Sequence, residues 1–171
     1  MPVKNIILIG MPGAGKSTIG NLLAKTLGMP FIDTDRFIEQ GENMTLQDII
    51  NKKGLKSFLE IEEKAVLRLQ TENHVIATGG SVVYSSAAMS YLKSGGIIVY
   101  LQLQHKRLKR RIRNIDSRGI AMDKGQTLLE LYNERVPLYE KCADITVDCS
   151  GKQAEDVAAE ITQIIQDLKK L

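Results

Sequence analysis

The residues of this sequence best suited to chemistry lie in one short glycine-bearing segment. Residues Gly10–Thr18 match the phosphate-binding pattern G-x-x-x-x-G-K-[ST] at each fixed position. In such a segment, backbone N–H groups surround phosphate oxygens, while the lysine, here Lys16, reaches the outer phosphates. The hydroxyl that follows, here Ser17, can ligate Mg²⁺. The pattern therefore predicts a nucleoside triphosphate site formed by Gly13, Ala14, Gly15, Lys16, Ser17 and Thr18.

The elements predicted around this segment place it at the edge of a sheet. The apolar run Ile6–Ile9 is typical of a buried strand, and Thr18–Leu27 has the periodicity of an amphipathic helix. Further strand-like runs occupy residues 30–32, 75–77, 97–101 and 145–147. Helical periodicity occupies residues 46–51, 58–71, 85–93, 105–113, 127–141 and 153–168. This alternation predicts an α/β fold with a parallel sheet, whose ligands bind beyond the carboxyl ends of the strands.

Two carboxylates, Asp33 and Asp35, follow the second predicted strand. One of them could hold Mg²⁺, directly or through water, because hard cations prefer oxygen ligands. The other could orient a substrate hydroxyl or accept its proton. A structural alternative is that Asp33 caps the next helix and Asp35 is a solvated acid of its first turn. The phosphate-binding segment nearby favours the functional interpretation.

A glycine pair, Gly79-Gly80, follows the third predicted strand, between Thr78 and Ser81. Two glycines could let the backbone approach a small ligand closely. A tight turn from strand to helix explains them equally well, and both interpretations can hold. The residues after the first three strands are thus expected to converge on one rim of the sheet.

Two arginines are candidates for contacts with charged groups of a substrate. Arg118 lies in the polar loop Asn114–Gln126, whose length is typical of a lid. A mobile arginine can supply a cation to a migrating phosphoryl group, although a solvated loop arginine is the simpler alternative. Arg135 could clamp a substrate carboxylate through two hydrogen bonds. An internal ion pair with Glu134 or Glu140 is the competing interpretation.

Composition limits the remaining possibilities. The 171 residues suit one compact domain, and 43% hydrophobic residues support a sizeable core. A net charge of +3 is too small to indicate nucleic acid or an anionic membrane, so the basic run 106–113 is expected to meet nucleotide phosphates. Cys142 and Cys149 form no metal-binding pattern and indicate reduced thiols of a cytoplasmic protein. No apolar stretch is long enough to span a bilayer.

Together these motifs resemble those of the shikimate kinases. The resemblance runs in order over nearly the whole chain, through Gly10–Thr18, Asp33-Thr34-Asp35, Ala77-Thr78-Gly79-Gly80, Arg118 and Glu134-Arg135-Val136-Pro137-Leu138-Tyr139. It implies a single P-loop kinase domain over residues 1–171, with three layers and a five-stranded parallel sheet like that of nucleoside monophosphate kinases. A substrate-binding subdomain would lie near residues 36–63 and a lid near residues 114–126.

The resemblance also implies an activity, the ATP-dependent phosphorylation of the 3-hydroxyl of shikimate in aromatic amino acid biosynthesis. The protein would use Mg²⁺ with ATP and act as a cytoplasmic monomer, without a nucleic acid or membrane partner. Lys16 would hold the phosphates, Ser17 and Asp33 would organise Mg²⁺, Arg111 would flank the adenine, and Arg118 would act on phosphate from the lid.

On the acceptor side, the resemblance implies that Asp35 binds the substrate hydroxyls and serves as a base. With Lys16 and Arg118 it would form the catalytic set. The implied substrate-binding residues are Asp35, Gly79, Gly80, Ser81 and Arg135, the last of which would pair with the substrate carboxylate.

Three positions depart from the family pattern. The pattern F-R-x-x-E-E reads Phe58–Glu63 here, so that Leu59 stands where the family has an arginine that binds the shikimate carboxylate. Ser81 replaces a third glycine, and the lid pattern R-P-L-L reads Arg118–Ala121. An apolar side chain cannot make the bidentate contact, which leaves a different small hydroxylated acid or alcohol as the alternative acceptor. Arg36 or Lys56 could compensate.

A nucleotide-dependent switch is the alternative from a different functional class. The phosphate-binding segment alone does not separate a switch from a kinase. A GTPase would carry a guanine-recognition motif N-K-x-D, which the sequence lacks. The stretch Asp116–Gly119 fits the switch pattern D-x-x-G, but it follows a basic helix instead of a strand.

Overall fold

A computed structural model of the protein describes residues 4–113 and 118–170. Its centre is a five-stranded sheet in the order β2-β3-β1-β4-β5, in which all neighbouring strands are parallel. The strands are β1 (Asn5–Ile9), β2 (Phe31–Asp33), β3 (Val75–Ala77), β4 (Gly96–Gln102) and β5 (Ile145–Asp148). The predicted parallel α/β sheet is confirmed, since each strand coincides with one of the apolar runs.

Helices connect the strands and cover both faces of the sheet. Every residue of β1 is buried, as expected for a central parallel strand with helices on either side. Helix α1 packs against α8, and α4 packs against α3 and α5. Within the described residues the α-helices are α1 (Lys16–Leu27), α2 (Thr34–Glu42), α3 (Leu46–Lys53), α4 (Leu55–Leu67), α5 (Ser86–Gly95), α6 (His105–Arg111), α7 (Leu128–Cys142) and α8 (Ala154–Leu168). No helix in this part of the chain has the length and apolar character needed to cross a membrane.

Helices α2 to α4 have a small hydrophobic cluster of their own. It is formed by Ile38, Leu46, Ile49, Phe58, Ala65 and Ala121 and is separate from the main core around the sheet. Its helices lie in the region predicted to bind the substrate, residues 36–63. Ala121 joins it from the predicted lid, of which residues 114–117 lie outside the described residues. Residues 118–127 contain turns but no helix or strand.

The close approach of β4 to β1 requires a glycine at position 96. A Cβ at Gly96 would lie 2.4 Å from the backbone oxygen of Asn5 and 2.2 Å from the Cδ1 of Ile7. At the preceding Gly95, the last residue of α5, the nearest atom would be the Asn5 side-chain nitrogen at 3.8 Å.

We therefore predict that Gly96→Ala lowers the free energy of unfolding by about 2 kcal/mol, because overpacking against backbone cannot relax by a rotamer change. Gly95→Ala is the matched control and is expected to be neutral or slightly stabilising, since alanine favours helix. Urea unfolding of both variants measures the difference. Equal stability of the two variants would contradict the close approach of β4 to β1 at Gly96.

Candidate functional site

The sequence-predicted site residues meet in one cavity of about 490 Å³ at the carboxyl ends of β1, β2 and β3. Those that line it are Gly13, Gly15, Lys16, Ser17, Thr18, Asp35, Gly79, Gly80, Ser81, Arg111, Arg118 and Arg135. Two predicted residues do not line it. The Ala14 side chain is buried, and Asp33 accepts a hydrogen bond from Ser17, which does line the cavity. One cavity therefore contains both the residues predicted for the nucleotide and those predicted for its acceptor.

The phosphate-binding segment has the backbone shape that its glycines permit. Gly15 has a φ of 101°, a left-handed conformation that favours glycine, and α1 begins at the next residue, Lys16. The first N–H groups of α1 therefore face the cavity, where an anion would bind. The Lys16 Nζ donates hydrogen bonds to the backbone oxygens of Gly10 (2.7 Å) and Met11 (2.8 Å). Burial lowers the pKa of Lys16 to about 8, against the opposing effect of Asp35.

Arg111 contacts the phosphate-binding segment, and Arg118 lies next to Arg111. The Arg111 Nη1, at the end of α6, donates to the backbone oxygens of Gly13 (3.2 Å) and Ala14 (3.3 Å). The Arg118 Nη2 donates to the backbone oxygen of Arg111 at 3.4 Å, and the Arg118 side chain is exposed at the mouth of the cavity. Both arginines are therefore on the side of the cavity where phosphates would lie.

Asp33 caps α2, as in the structural alternative, and it also binds the Ser17 hydroxyl. Its Oδ1 accepts the backbone N–H groups of Asp35 (3.0 Å) and Arg36 (3.4 Å) and so caps α2. Its Oδ2 accepts a hydrogen bond of 2.5 Å from the Ser17 hydroxyl. The pair presents a hydroxyl and a carboxylate, oxygen donors of the kind that suits Mg²⁺.

This donor set fits a magnesium ion that shares ligands with phosphates. The described residues contain no group of three or more His, Cys, Asp or Glu side chains suited to a metal. Mg²⁺ commonly takes one or two protein ligands and completes its shell with water and phosphate oxygens. Ser17 and Asp33 are therefore sufficient as the protein's contribution.

Asp35 occupies the cavity wall between the two halves of the site. It lies in the first turn of α2, and its carboxylate is partly exposed to the cavity. Burial raises the pKa of Asp35 to about 6, while Lys16 opposes that rise and Asp33 adds to it. A carboxylate that has lost much of its hydration accepts a proton more readily than one in water, which suits contact with a substrate hydroxyl.

The glycine pair makes room for charged side chains of the site itself. A Cβ at Gly79 would lie 2.5 Å from the Glu62 Oε2 and 2.7 Å from the Asp35 Oδ1. A Cβ at Gly80 would lie 2.9 Å from the Arg135 Nη1. Residues 79 and 80 form the turn between β3 and the short 3₁₀ helix at 82–84. Their lack of side chains allows three charged groups to approach the same turn.

Arg135 is the largest fully buried side chain of the protein as described, with an exposed fraction of 1%. Its Nε donates to the Tyr84 hydroxyl at 3.2 Å, and its Nη2 donates to the backbone oxygen of Ala121. Neither Glu134 nor Glu140 lies within ion-pair distance of it, so the internal ion pair that was the competing interpretation is not formed. The guanidinium is thus fixed at the cavity by neutral groups and keeps its charge for a ligand.

Glu62 is a site residue that the sequence analysis missed. It is buried on the face of α4 that also carries Phe58, Ala65 and Val66, and it lines the cavity. Its Oε1 accepts a hydrogen bond of 2.7 Å from the Ser81 hydroxyl. Burial raises the pKa of Glu62 to about 7. The sequence does contain a signal for it, because Glu62 is an acidic residue on the helix face that otherwise carries apolar residues.

The residues near position 59 do not replace the missing arginine. Leu59 does not line the main cavity, and with Lys56 it borders a smaller neighbouring cavity of about 240 Å³. Arg36 is exposed and also lies outside the lining of the main cavity. Arg135 is therefore the cation nearest to the glycine turn among the described residues.

Comparisons with known proteins agree with this geometry. The family model described as "Shikimate kinase" matches residues 12–166. The shikimate kinase of Caldanaerobacter subterraneus subsp. tengcongensis is 37% identical over 98% of this chain and 99% of its own. That of Thermodesulfovibrio yellowstonii is 38% identical over 93% of each chain.

Solved structures give the same result. The shikimate kinase from Acinetobacter baumannii, in complex with shikimate, superposes with a TM-score of 0.91 at 33% identity, over 98% of this chain and 95% of that one. The thymidylate kinase from Candida albicans, at 16% identity and a TM-score of 0.60 over 98% of this chain and 93% of that one, shares only the fold. The predicted likeness to nucleoside monophosphate kinases is therefore confirmed. By its sequence, its fold and the residues gathered in its cavity, the chain belongs to the shikimate kinase family.

Proposed function

We propose that this protein is a kinase that transfers the γ-phosphoryl group of ATP to the 3-hydroxyl of shikimate. The observation that carries the proposal is the single cavity in which a phosphate-binding loop faces Asp35 and Arg135. The likeness to a shikimate-bound kinase with a TM-score of 0.91 supports shikimate as the acceptor.

The donor half of the site binds the nucleotide and stabilises its charge. Backbone N–H groups at the start of α1 and the Lys16 ammonium receive the phosphates. Arg111 contacts the same loop, and Arg118 lines the cavity next to Arg111. Ser17 and Asp33 would hold Mg²⁺, whose chemistry is to neutralise charge on the phosphates. Because phosphoryl transfer needs chiefly positioning and charge stabilisation, these contacts supply most of what it requires.

The acceptor half orients the hydroxyl that attacks. Asp35 receives a hydrogen bond from the hydroxyl and takes its proton as the new O–P bond forms and the bond from the γ-phosphorus to the bridging oxygen breaks, so that ADP leaves. Arg135 holds the carboxylate of the acid, with its guanidinium already fixed by Tyr84 and Ala121. An immobilised cation loses little entropy when the acceptor binds, which increases affinity and fixes the orientation of the ring.

The first test measures ADP formation with shikimate and with a panel of related hydroxy acids and alcohols. We expect shikimate to stimulate ATP turnover more than any other member of the panel, because its carboxylate and hydroxyls match Arg135 and Asp35. Equal slow hydrolysis with every compound would contradict the proposal and favour a nucleotide switch. Strong stimulation by a different acid would identify the acceptor that Leu59 permits.

A second prediction concerns the donor half. Lys16→Ala should lower the rate of phosphoryl transfer at least about a hundredfold, because the charge that contacts the outer phosphates is lost. Stopped-assay measurement of ADP, with circular dichroism to verify the fold, tests this result. Lys25→Ala, on an exposed part of the same helix, is the control and should retain activity. Retained turnover in the Lys16 variant would refute the assignment of the phosphate-binding loop.

A third prediction separates donor binding from the acceptor chemistry. Asp35→Asn should lower kcat about 10²- to 10⁴-fold, the usual effect of removing a general base, while the ATP affinity stays within about threefold. Fluorescent nucleotide titration and steady-state kinetics provide the two measurements. Asp48→Asn, at an exposed first-turn acid of α3, is the control. A parallel loss of ATP affinity would show that Asp35 belongs to the nucleotide side.

A further inference from the structure

Helix α4 carries no cation at the position from which one could reach Glu62. Leu59 lies three residues before Glu62, a spacing at which side chains of one helix are neighbours. Leu59, Glu62 and Ser81 also line the same small cavity of about 240 Å³. An arginine at position 59 could therefore pair with Glu62, whereas leucine cannot.

The Glu62 carboxyl group consequently depends on Ser81. Its Oε1 accepts the Ser81 hydroxyl at 2.7 Å, and both residues are buried. Its Oε2 has no hydrogen-bond partner in the part of the chain that the structure describes. A buried carboxylate without donors is costly, so a single hydrogen bond to it has a large effect on its charge and orientation.

Charged groups from three other elements act on Glu62. Burial raises its pKa most, Asp35 of α2 raises it further, and Arg135 of α7 and Lys16 of α1 lower it. Arg135 and Glu62 approach adjacent residues of the glycine turn, Gly80 and Gly79. A Glu62 side chain released from Ser81 would therefore have Arg135 as its nearest oppositely charged partner.

We propose that Ser81 is a positioning residue that holds Glu62 away from Arg135 and so keeps Arg135 available for the carboxylate of the acceptor. Ser81 thereby supplies the restraint that no side chain at position 59 provides. This inference rests on the proposed function, since it assumes an acidic acceptor. It predicts that the effect of residue 81 on acceptor affinity depends on which residue occupies position 59.

The kinetic test compares Ser81→Ala with the wild-type enzyme. We expect the KM for shikimate to rise about tenfold, the usual effect of losing one hydrogen bond to a charged group, with kcat and the KM for ATP changed less than about twofold. Ser85→Ala is the control for loss of a serine–glutamate hydrogen bond, and it also removes the N-cap of α5. Ser85 donates a similar hydrogen bond to Glu63 and borders the same small cavity, but Glu63 does not line the main cavity. It should leave the KM for shikimate unchanged.

The coupling is tested by Leu59→Arg. Introduced into Ser81→Ala, this change should restore most of the lost affinity, because the new guanidinium gives Glu62 a partner. Since an arginine could also contact the acceptor directly, the same change is made in Ser81→Ala/Glu62→Gln. There the inference predicts a smaller gain. An equal gain in both backgrounds would overturn the coupling between Ser81 and Glu62.

Unfolding at different pH values tests the restraint without using activity. Ser81 stabilises the charged form of Glu62, so Ser81→Ala should raise the pKa of Glu62 above about 7. In the folded variant, Glu62 then stays protonated to higher pH. The variant's free energy of unfolding should therefore fall further below that of the wild-type protein at pH 8.5 than at pH 6.

The two experiments distinguish failure of this inference from failure of the proposed function. If the wild-type enzyme phosphorylates shikimate but Ser81→Ala has a normal KM, the inference is wrong and the function stands. If shikimate is not a substrate, the proposed function is wrong. The unfolding data then test whether Ser81 restrains Glu62. If Ser81→Ala lowers the free energy of unfolding by the same amount at pH 6 and pH 8.5, that restraint is excluded.

Discussion

Charged side chains lie close to the glycine turn at residues 79–80, and the rest of the site depends on how their charges are balanced by one another and by polar partners. Lys16, Glu62 and Arg135 are buried, and Asp35 is partly exposed to the same cavity. A charge buried alone would cost more free energy than most single interactions supply, so each needs the others or a polar partner. The glycine turn at 79–80 allows this proximity, since a Cβ at either position would collide with these groups.

The parallel sheet explains why the charged groups meet. Strands β1, β2 and β3 end at one edge, and the phosphate-binding loop, Asp33–Asp35 and the glycine turn follow them directly. The backbone thus places the donor and acceptor halves of the site side by side, and cations from α6, α7 and the predicted lid complete the cavity. Positioning of this kind is the main requirement of phosphoryl transfer.

Sequence patterns predicted the sheet well because each strand contains a short apolar run, which is buried throughout in β1 and β3. Helix α2 was not among the periodic segments because Thr34–Glu42 is short and polar, with Phe37 and Ile38 as its only large apolar residues. Its start at the Asp33 cap was expected only as the structural alternative for Asp33. The residues of the phosphate-binding loop were predictable because a local pattern specifies them. Glu62 was not, because its place in the site depends on a hydrogen bond from Ser81 and on the charge of Arg135, both distant in sequence. The hydrogen bonds of Arg135 to Tyr84 and Ala121 were likewise not predictable, because both partners are distant in sequence.

The measurement that most directly tests this account is a crystal structure of the protein with ADP, Mg²⁺ and shikimate bound. The account predicts that the shikimate carboxylate lies within hydrogen-bond distance of the Arg135 guanidinium and that a ring hydroxyl contacts Asp35, facing the phosphates held by Lys16. Ser81 should still bond to Glu62 in the complex. Shikimate bound elsewhere, or with its carboxylate away from Arg135, would contradict the account.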